Sequence, residues 1–238
     1  MAINDYFSSV TRRAALRISG ATLLGASQAG LLRAQGKQAE PPADALVAQK
    51  PRDITPLALN PDGSAKTFSE AELTPVADIG ALYHNTGGKA PEIEYDPAKV
   101  RIRVRGNVMK QVGSMGLADL KKLPYLTQIT LLQCGGRKPS GVVKWGGVRF
   151  ADVCRLLEVQ PMGQYVMFVS SDKYSTVEDM TIASHPQTML VLEMNGGPLL
   201  PIHGAPYRLV IPTRWGARSI KAIEEIRFTA SSFGTNNM

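Results

Sequence analysis

Short apolar runs bounded by glycine, proline and asparagine dominate the chain from about residue 100 onward. In the clearest run, Val100, Ile102 and Val104 alternate with arginines, a period of two that is typical of a half-buried β-strand. Further strands are predicted at residues 128–133, 165–170, 189–194, 207–211 and 226–229, and short helices at residues 116–123 and 150–159. Because strands and short helices mix without a regular βαβ repeat, the pattern predicts an α+β fold with mixed sheets.

The first 34 residues have the layout of an export signal. A weakly apolar stretch at residues 18–32 is too short and too polar to span a bilayer, and it fits the apolar region of a secretory signal. The Arg12-Arg13 pair before it resembles the twin-arginine export signal, with cleavage predicted after Ala29 or Ala34. We therefore expect residues 1–34 to be a twin-arginine-type signal peptide and the mature protein to be periplasmic. A basic amphipathic start of a cytoplasmic helix is the alternative.

One domain is predicted after the signal. Residues 35–75 are rich in proline, alanine, aspartate and lysine and predict an extended or partly disordered lead-in, followed by a single domain at residues 76–238. With 44% hydrophobic and 20% charged residues, the chain is neither a disordered protein nor a polytopic membrane protein, and no transmembrane span is expected in the mature chain. Removal of residues 1–34 would lower the net charge from +7 to +4, which does not indicate a nucleic-acid partner.

Cys134 is the cysteine whose surroundings favour chemistry. The sequence has no G-x-G-x-x-G, H-E-x-x-H, C-x-x-C or G-x-S-x-G motif. Cys134 ends a predicted strand and opens C-G-G-R-K-P-S-G, where the glycines let backbone approach a bulky ligand. Arg137 and Lys138 would favour a thiolate, the ligand that soft metals prefer. From these residues alone, a buried and inert cysteine is the commoner alternative, and Cys154 is interpreted as core packing.

A second group of polar residues lies near the C-terminus. Six side chains that can donate to an anion fall within 19 positions: His203, Arg208, Arg214, Arg218, Ser219 and Lys221. Arginine and lysine side chains together with backbone amides are the groups that bind phosphate. A solvated basic face is the alternative interpretation of the same residues.

Five sequence stretches follow one another between residues 74 and 228. They read L-L-Q-C-G-G-R, W-G-G-V-R-F-A-D-V, S-S-D-K-Y-S-T, L-E-M-N-G-G-P-L-L-P-I-H-G-A-P-Y-R-L-V-I-P and R-W-G-A-R-S-I-K. In this order they resemble the sulfite oxidase superfamily of molybdopterin oxidoreductases. The resemblance implies the α+β fold of that superfamily and a molybdenum–molybdopterin cofactor.

The resemblance also implies roles for individual residues. Cys134 matches the position of the protein thiolate on molybdenum. The residues that match pterin-binding and phosphate-binding positions are Asn85, Ser170, His203, Arg208, Ser219, Ile220 and Lys221. The residues that we expect near the reacting metal or the substrate, together with Cys134, are Arg137, Tyr174 and Arg214.

Two reactions of the superfamily remain open, sulfite oxidation and S-oxide reduction. The chain ends at Met238 without an added dimerisation or haem domain, which resembles the compact periplasmic subunits that reduce protein methionine sulfoxide. Arg137, however, follows Cys134 where that branch has an acidic residue, and it is more like the sulfite oxidisers. We expect two-electron oxygen-atom transfer on a small oxyanion or S-oxide by a monomeric subunit that exchanges electrons with a separate protein such as a cytochrome. A non-catalytic binding module that retained the fold is the alternative.

Overall fold

A computed structural model describes residues 56–108, 113–134 and 141–232. All of these residues belong to one compact unit, Lys50–Met238. The predicted signal peptide at residues 1–34, with its Arg12-Arg13 pair, lies outside the described residues, as does Arg137. Within the described ranges, no helix is long and apolar enough to cross a membrane.

Ten β-strands and three short α-helices form the described part of the chain. The strands are β1 (Arg101–Gly106), β2 (Ser114–Gly116), β3 (Tyr125–Leu132), β4 (Gly141–Arg149), β5 (Tyr165–Ser170), β6 (Ser175–Asp179), β7 (Met189–Met194), β8 (Gly197–Pro198), β9 (Arg208–Val210) and β10 (Ile223–Thr229). The helices are α1 (Leu117–Leu120), α2 (Phe150–Leu156) and α3 (Met180–Ala183). Each predicted strand and helix is present with its ends moved by a few residues, whereas the sequence pattern does not indicate β2, β4, β6, β8 or α3.

The strands form two sheets of five strands each. In the first sheet the order is β2-β1-β10-β5-β6, with β1 and β10 parallel and the other neighbours antiparallel. In the second the order is β3-β4-β7-β8, antiparallel throughout, and β9 also pairs with β7. Mixed sheets with short helices confirm the predicted α+β class.

Two strands show why some elements are visible in the sequence and others are not. The alternation in β1 buries Ile102 and Val104 and leaves the arginines outside. In β4 the glycines Gly146 and Gly147 interrupt any apolar period. A Cβ atom on Gly147 would lie 2.2 Å from the Leu190 carbonyl oxygen of β7, so only glycine allows the two strands to approach this closely.

The described part of the predicted lead-in, residues 56–75, is hydrogen-bonded to the domain. Thr67 forms a bridge with Thr130 of β3. The Gln187 side chain donates to the Ala65 carbonyl at 2.9 Å and accepts from the Ala65 N–H at 2.7 Å. The composition of this segment does not indicate such anchoring, because the partners belong to distant parts of the chain.

Strand ends place the residues that the sequence singles out. β3 leads directly into Cys134, β5 ends at Ser170, and β9 begins at Arg208. The second sheet packs over a core that includes Val143, Trp145, Met189, Val191 and Val210. Cys134, Ser170 and Arg208 each lie at or close to the end of a strand in a packed sheet, so the positions of their backbones are well defined.

Candidate active site

Cys134 faces the loop that carries the C-terminal polar residues. The N–H of Gly216 donates to the Gln133 carbonyl at 2.7 Å. A Cβ atom on Gly216 would lie only 3.3 Å from the Sγ atom of Cys134. The single turn of 3₁₀ helix at Gly216–Arg218 is therefore held directly against the thiol.

Gln133 supports Cys134; it lies in the stretch L-L-Q-C-G-G-R, but the sequence analysis gives it no role of its own. Its side chain is buried, with Nε2 donating to the Pro56 carbonyl at 2.8 Å and Oε1 accepting from the Ala58 N–H at 3.2 Å. A buried amide that uses both its donor and its acceptor has a fixed orientation. Gln133 thus fastens the end of β3 to the segment around residues 56–58.

Arg208 is a buried cation at the start of β9. It is 2% exposed, its Nη1 donates to the His203 carbonyl at 2.8 Å, and its guanidinium lies 5.0 Å from the centre of the Trp145 ring. Its buried Nε has no hydrogen-bond partner among the described residues. Burial lowers the pKa of Arg208 to about 10, against the opposing influence of Tyr83 and Cys134. A buried guanidinium with a spare donor is suited to binding an anion.

Lys221 approaches the same region from the loop before β10. Its Nζ donates to the carbonyl oxygens of Leu82 and Ile202, both at 3.0 Å, and lies 4.8 Å from the centre of the Tyr83 ring. Burial, followed by the charge of Arg208, lowers the pKa of Lys221 to about 7. The ammonium group has three donors, so it can keep both carbonyls and still donate to a ligand.

Cys134, Arg208 and Lys221 form one cluster. Arg208 and Lys221 donate to the carbonyl oxygens of two adjacent residues, His203 and Ile202. Gly216, where a Cβ atom would lie 3.3 Å from the Sγ atom of Cys134, lines the same cavity as Lys221. The cysteine and the anion-binding residues, which the sequence presents as two separate groups, therefore belong to a single site.

His203 adds a buried polar group beside these cations. It is 3% exposed, and its Nδ1 has no hydrogen-bond partner in the described part of the chain. Burial, together with the charges of Arg208 and Lys221, lowers the pKa of His203 to about 4, although a hydrogen bond with the Val76 backbone opposes this. At neutral pH the imidazole is therefore uncharged, and it can read a polar ring without adding a third positive charge.

Ser219 and Ile220 shape the loop before Lys221. The hydroxyl of Ser219 accepts the N–H of Ile211 at 3.0 Å, and the carbonyl of Ile220 accepts the N–H of Leu209 at 2.8 Å. Both residues are buried. These bonds fasten the loop to the β9 segment, which carries Arg208.

A cavity of about 40 Å³ gathers residues from several segments. Five of the residues singled out in the sequence line it: Ser170, Tyr174, Ser219, Ile220 and Lys221. Asn85 is exposed, and its backbone N–H donates at 3.2 Å to the carboxylate of Asp172, which also lines the cavity. Asp172 lies in the stretch S-S-D-K-Y-S-T, but the sequence analysis gives it no role of its own.

Tyr174 is held at the cavity by both its ring and its hydroxyl. The ring stacks on His84, with centroids 4.2 Å apart and an interplanar angle of 24°. The hydroxyl donates to the Ala217 carbonyl at 3.2 Å. The phenolic proton is engaged by the protein, so Tyr174 would have to release Ala217 before donating to a substrate.

Arg214 is not part of the described lining of the cavity. It is exposed, and its N–H donates to the Ile211 carbonyl at 3.0 Å in the turn that leads to Gly216. Cys154 is buried in α2, and burial raises the pKa of its thiol to about 12, as expected for a packing residue. The structure thus separates the two cysteines clearly, with Cys134 in the polar cluster.

Residues 88–236 match the family model described as the oxidoreductase molybdopterin binding domain. The chain belongs to this family. It is 33% identical over 172 residues to the putative protein-methionine-sulfoxide reductase subunit YedZ1 of Azospira oryzae, covering 72% of this chain and 63% of that protein. It is 28% identical over 190 residues to sulfite oxidase of Arabidopsis thaliana, covering 65% of this chain and 48% of that protein. The chain thus spans about half to two thirds of the length of these relatives.

A solved structure supports the fold. The sulfane dehydrogenase SoxCD from Paracoccus pantotrophus has a TM-score of 0.54 at 18% identity, over 86% of this chain and 57% of that chain. At this identity the likeness shows the fold alone. Together the comparisons confirm the predicted superfamily and fold, and they confirm molybdenum–molybdopterin as the cofactor of this family of oxidoreductases.

The side chains of the site fit this cofactor. Cys134 offers a sulfur ligand for the metal, and Arg208 and Lys221 offer N–H donors for a phosphate group. Two buried nitrogen atoms, Nε of Arg208 and Nδ1 of His203, have no partner among the described residues. Buried polar atoms of native proteins are almost always satisfied, and a ligand with a phosphate and a polar ring system would satisfy both.

Proposed function

We propose that this protein is a periplasmic molybdopterin-dependent oxidoreductase that transfers an oxygen atom to or from a small oxyanion or S-oxide. The observation that carries the proposal is the cluster of Cys134, Arg208 and Lys221, which contacts through Gly216, His203 and Ile202 bring together. A soft metal needs the thiolate and a phosphate dianion needs the two cations. Burial of the Arg208 guanidinium is unfavourable in free energy, and a binding module without the cofactor would have no anion to offset it.

The cofactor would supply the two-electron chemistry of molybdenum, and the chain would hold and orient it. Cys134 would bind the metal through its sulfur. Arg208 and Lys221 would hold the phosphate through charge-assisted hydrogen bonds, Lys221 with the donor that remains beside its bonds to Leu82 and Ile202.

Uncharged groups would form hydrogen bonds with the pterin ring. His203 can donate or accept there because its depressed pKa keeps it neutral. We propose the same binding role for Asn85 and Ser170, and for the loop at Ser219 and Ile220, which is fastened to the β9 segment. These residues come from distant parts of the chain, so correct folding must precede tight binding of the cofactor.

The substrate would approach through the residues near Cys134. Arg214 is exposed two positions before Gly216, which contacts the thiol, and its charge would attract an anionic substrate. We propose a role in substrate binding for Arg137 too, from its place in the sequence after Cys134, and for Tyr174 once it releases its hydrogen bond to Ala217. An anion-attracting role predicts a raised KM with full molybdenum content when Arg137 or Arg214 is replaced.

The proposal also covers the export route of the protein, its electron-transfer partner and its oligomeric state. The Arg12-Arg13 pair supports export through a twin-arginine-type signal, a route read from the paired arginines. Electrons would pass to or from a separate protein such as a cytochrome, because the recognisable motifs of the chain support one redox centre. The chain would act as a monomeric catalytic subunit, which light scattering of the purified protein can test.

Metal analysis of the exported protein tests the proposal directly. We expect stoichiometric molybdenum and pterin in protein purified from the periplasm. Protein exported through its own signal without molybdenum would overturn the proposal in favour of a non-catalytic binding module. For loaded protein, sulfite oxidation with an artificial electron acceptor and methionine sulfoxide reduction with an artificial donor distinguish the two directions of oxygen transfer.

The two cysteines provide a matched pair of variants. Cys134→Ser should keep the fold but abolish turnover, because a serine hydroxyl is a harder ligand with a high pKa and cannot replace a thiolate. Cys154→Ser makes the same chemical change in a buried packing position and should leave most activity intact. The opposite pattern of activity would show that the assignment of the metal ligand is wrong.

A further inference from the structure

Asp172 lies in the turn between β5 and β6, at the edge of the cavity. It is 6% exposed, and the turn is closed by the Ser170 N–H, which donates to the Tyr174 carbonyl at 2.8 Å. Lys173, the residue after Asp172, has a positive φ of 67°, which indicates a tightly specified turn. An acidic residue that is buried this deeply must have its hydrogen bonds satisfied.

The two oxygen atoms of Asp172 bind backbone groups of different segments. Oδ1 accepts from the Tyr174 N–H at 3.1 Å, within the turn. Oδ2 accepts from the Asn85 N–H at 3.2 Å, in a segment 87 positions earlier in the chain. The carboxylate therefore joins the segment that carries His84 and Asn85 to the turn that carries Ser170 and Tyr174.

The charge of Asp172 is maintained despite its burial. Burial raises the pKa of the carboxyl group, but hydrogen bonds from the Ser170 hydroxyl and from the Tyr174 and Asn85 amides together lower it below its ordinary value. The nearby charged or titratable groups that interact with it are Tyr83, His84 and Lys221. At neutral pH the bridging group is thus an anion with two strong acceptor atoms.

The segment at residues 82–85 and the β5–β6 turn, which Asp172 joins, both contact residues that line the cavity. Tyr174 stacks on His84, and Lys221 donates to the Leu82 carbonyl, so both walls of the cavity depend on where residues 82–85 lie. Asp172 accepts its hydrogen bond from the backbone of this segment, at the Asn85 N–H. Its effect on the site is therefore exerted through the placement of other residues.

We propose that Asp172 is a positioning residue that holds the segment at residues 82–85 against the β5–β6 turn and so sets the geometry in which Asn85, Ser170, Tyr174 and Lys221 receive the pterin. This inference rests on the proposed function for the identity of the ligand. The bridge itself is a property of the chain and can be tested separately.

Asp172→Asn is the sharpest variant because asparagine has nearly the same shape and only one acceptor atom. Since both oxygens of Asp172 are used, the amide NH₂ must face either the Asn85 N–H or the Tyr174 N–H, and that bond is lost. Asp179→Asn is the matched control. Asp179 caps α3 by accepting the Ile182 N–H at 2.9 Å, at the other end of β6 and outside the described lining of the cavity.

Hydrogen exchange and cofactor content are measured on full-length protein. Loss of a hydrogen bond to a charged acceptor should accelerate amide exchange at residues 82–86 or 172–174 by about ten- to a hundred-fold, with molybdenum and pterin retention lowered by a similar factor. Asp179→Asn keeps an acceptor oxygen for the Ile182 N–H, so it should leave exchange at residues 82–86 and 172–174 unchanged and retain full cofactor. Asp172→Ser, which is too short to reach either amide, repeats the test if the asparagine variant does not fold.

The outcomes separate this inference from the proposed function. Unchanged exchange at both segments in the Asp172 variants would overturn the bridge. Faster exchange with unchanged molybdenum content, KM and kcat would overturn the positioning role and leave a purely structural bond. Wild-type protein without molybdenum would overturn the proposed function, while the exchange experiment would still decide whether Asp172 joins the two segments.

Discussion

Replacing Arg208 by methionine should separate cofactor binding from folding. Methionine is long and apolar, so it can keep the contact with Trp145, over which the guanidinium lies at 5.0 Å, while removing the charge. Alanine would be a poorer test, because it would leave a cavity in the packed core beside Trp145. The structure buries Arg208 against the apolar ring of Trp145.

Opposing contributions determine how Arg208→Met changes the free energy of unfolding of the cofactor-free protein. Burial lowers the pKa of Arg208 to about 10, which corresponds to a penalty of roughly 3 kcal/mol on its charged form in the folded state. The variant escapes this penalty but loses the bond from Nη1 to the His203 carbonyl, worth about 1.5–3 kcal/mol, and the cation–π contact, worth about 0.5–2 kcal/mol. We therefore expect the free energy of unfolding to stay within about 2 kcal/mol of wild type in urea titrations.

Cofactor retention should respond far more strongly. Each charge-assisted contact between Arg208 and a phosphate group is worth about 1.5–3 kcal/mol, so its loss should weaken retention by about ten- to a hundred-fold. Elemental analysis of molybdenum and fluorescence of the oxidised pterin measure this on purified protein. Arg214→Met is the matched control, since it removes an exposed arginine and should keep full molybdenum with a raised KM. Full molybdenum and pterin content in Arg208→Met would refute the phosphate-binding role.

Two further predictions concern acid stability and export. Because the pKa of His203 is lowered to about 4 from an ordinary value of 6.5, its contribution to stability is present above pH 6.5 and is lost as the pH falls toward 4. Urea unfolding of cofactor-free protein at pH 7 and pH 4.5 measures this loss of unfolding free energy, which amounts to at most about 3 kcal/mol. The His203→Asn variant should not show it. The same pH dependence in variant and wild type would contradict the argument. Arg12→Lys combined with Arg13→Lys should leave the precursor in the cytoplasm on cell fractionation, whereas normal export would point to the general secretory route.

Local sequence determined several strands of this protein and its reactive side chains. The alternation at residues 101–105 predicts β1, and Asn195-Gly196 is a turn signal directly after the predicted strand at residues 189–194. Both turn residues have positive φ angles, of 52° and 77°. These features are readable because they depend on the side-chain period and backbone freedom of a few neighbouring residues. The motif around Cys134 likewise places a thiol at the end of a strand, and the structure confirms that strand.

Only the tertiary structure decided which segments meet and how their charges behave. β1 pairs in parallel with β10, so Arg103 lies opposite Glu225 although they stand at opposite ends of the domain sequence. Arg208 shows in sequence the same character as exposed Arg214, yet the fold buries one and leaves the other in solvent. Asp172 lies in a stretch that resembles the family, but its bond to the Asn85 backbone exists only in the folded chain. Burial and long-range hydrogen bonds arise from the packing of distant segments, so the electrostatics of this site are a property of the fold.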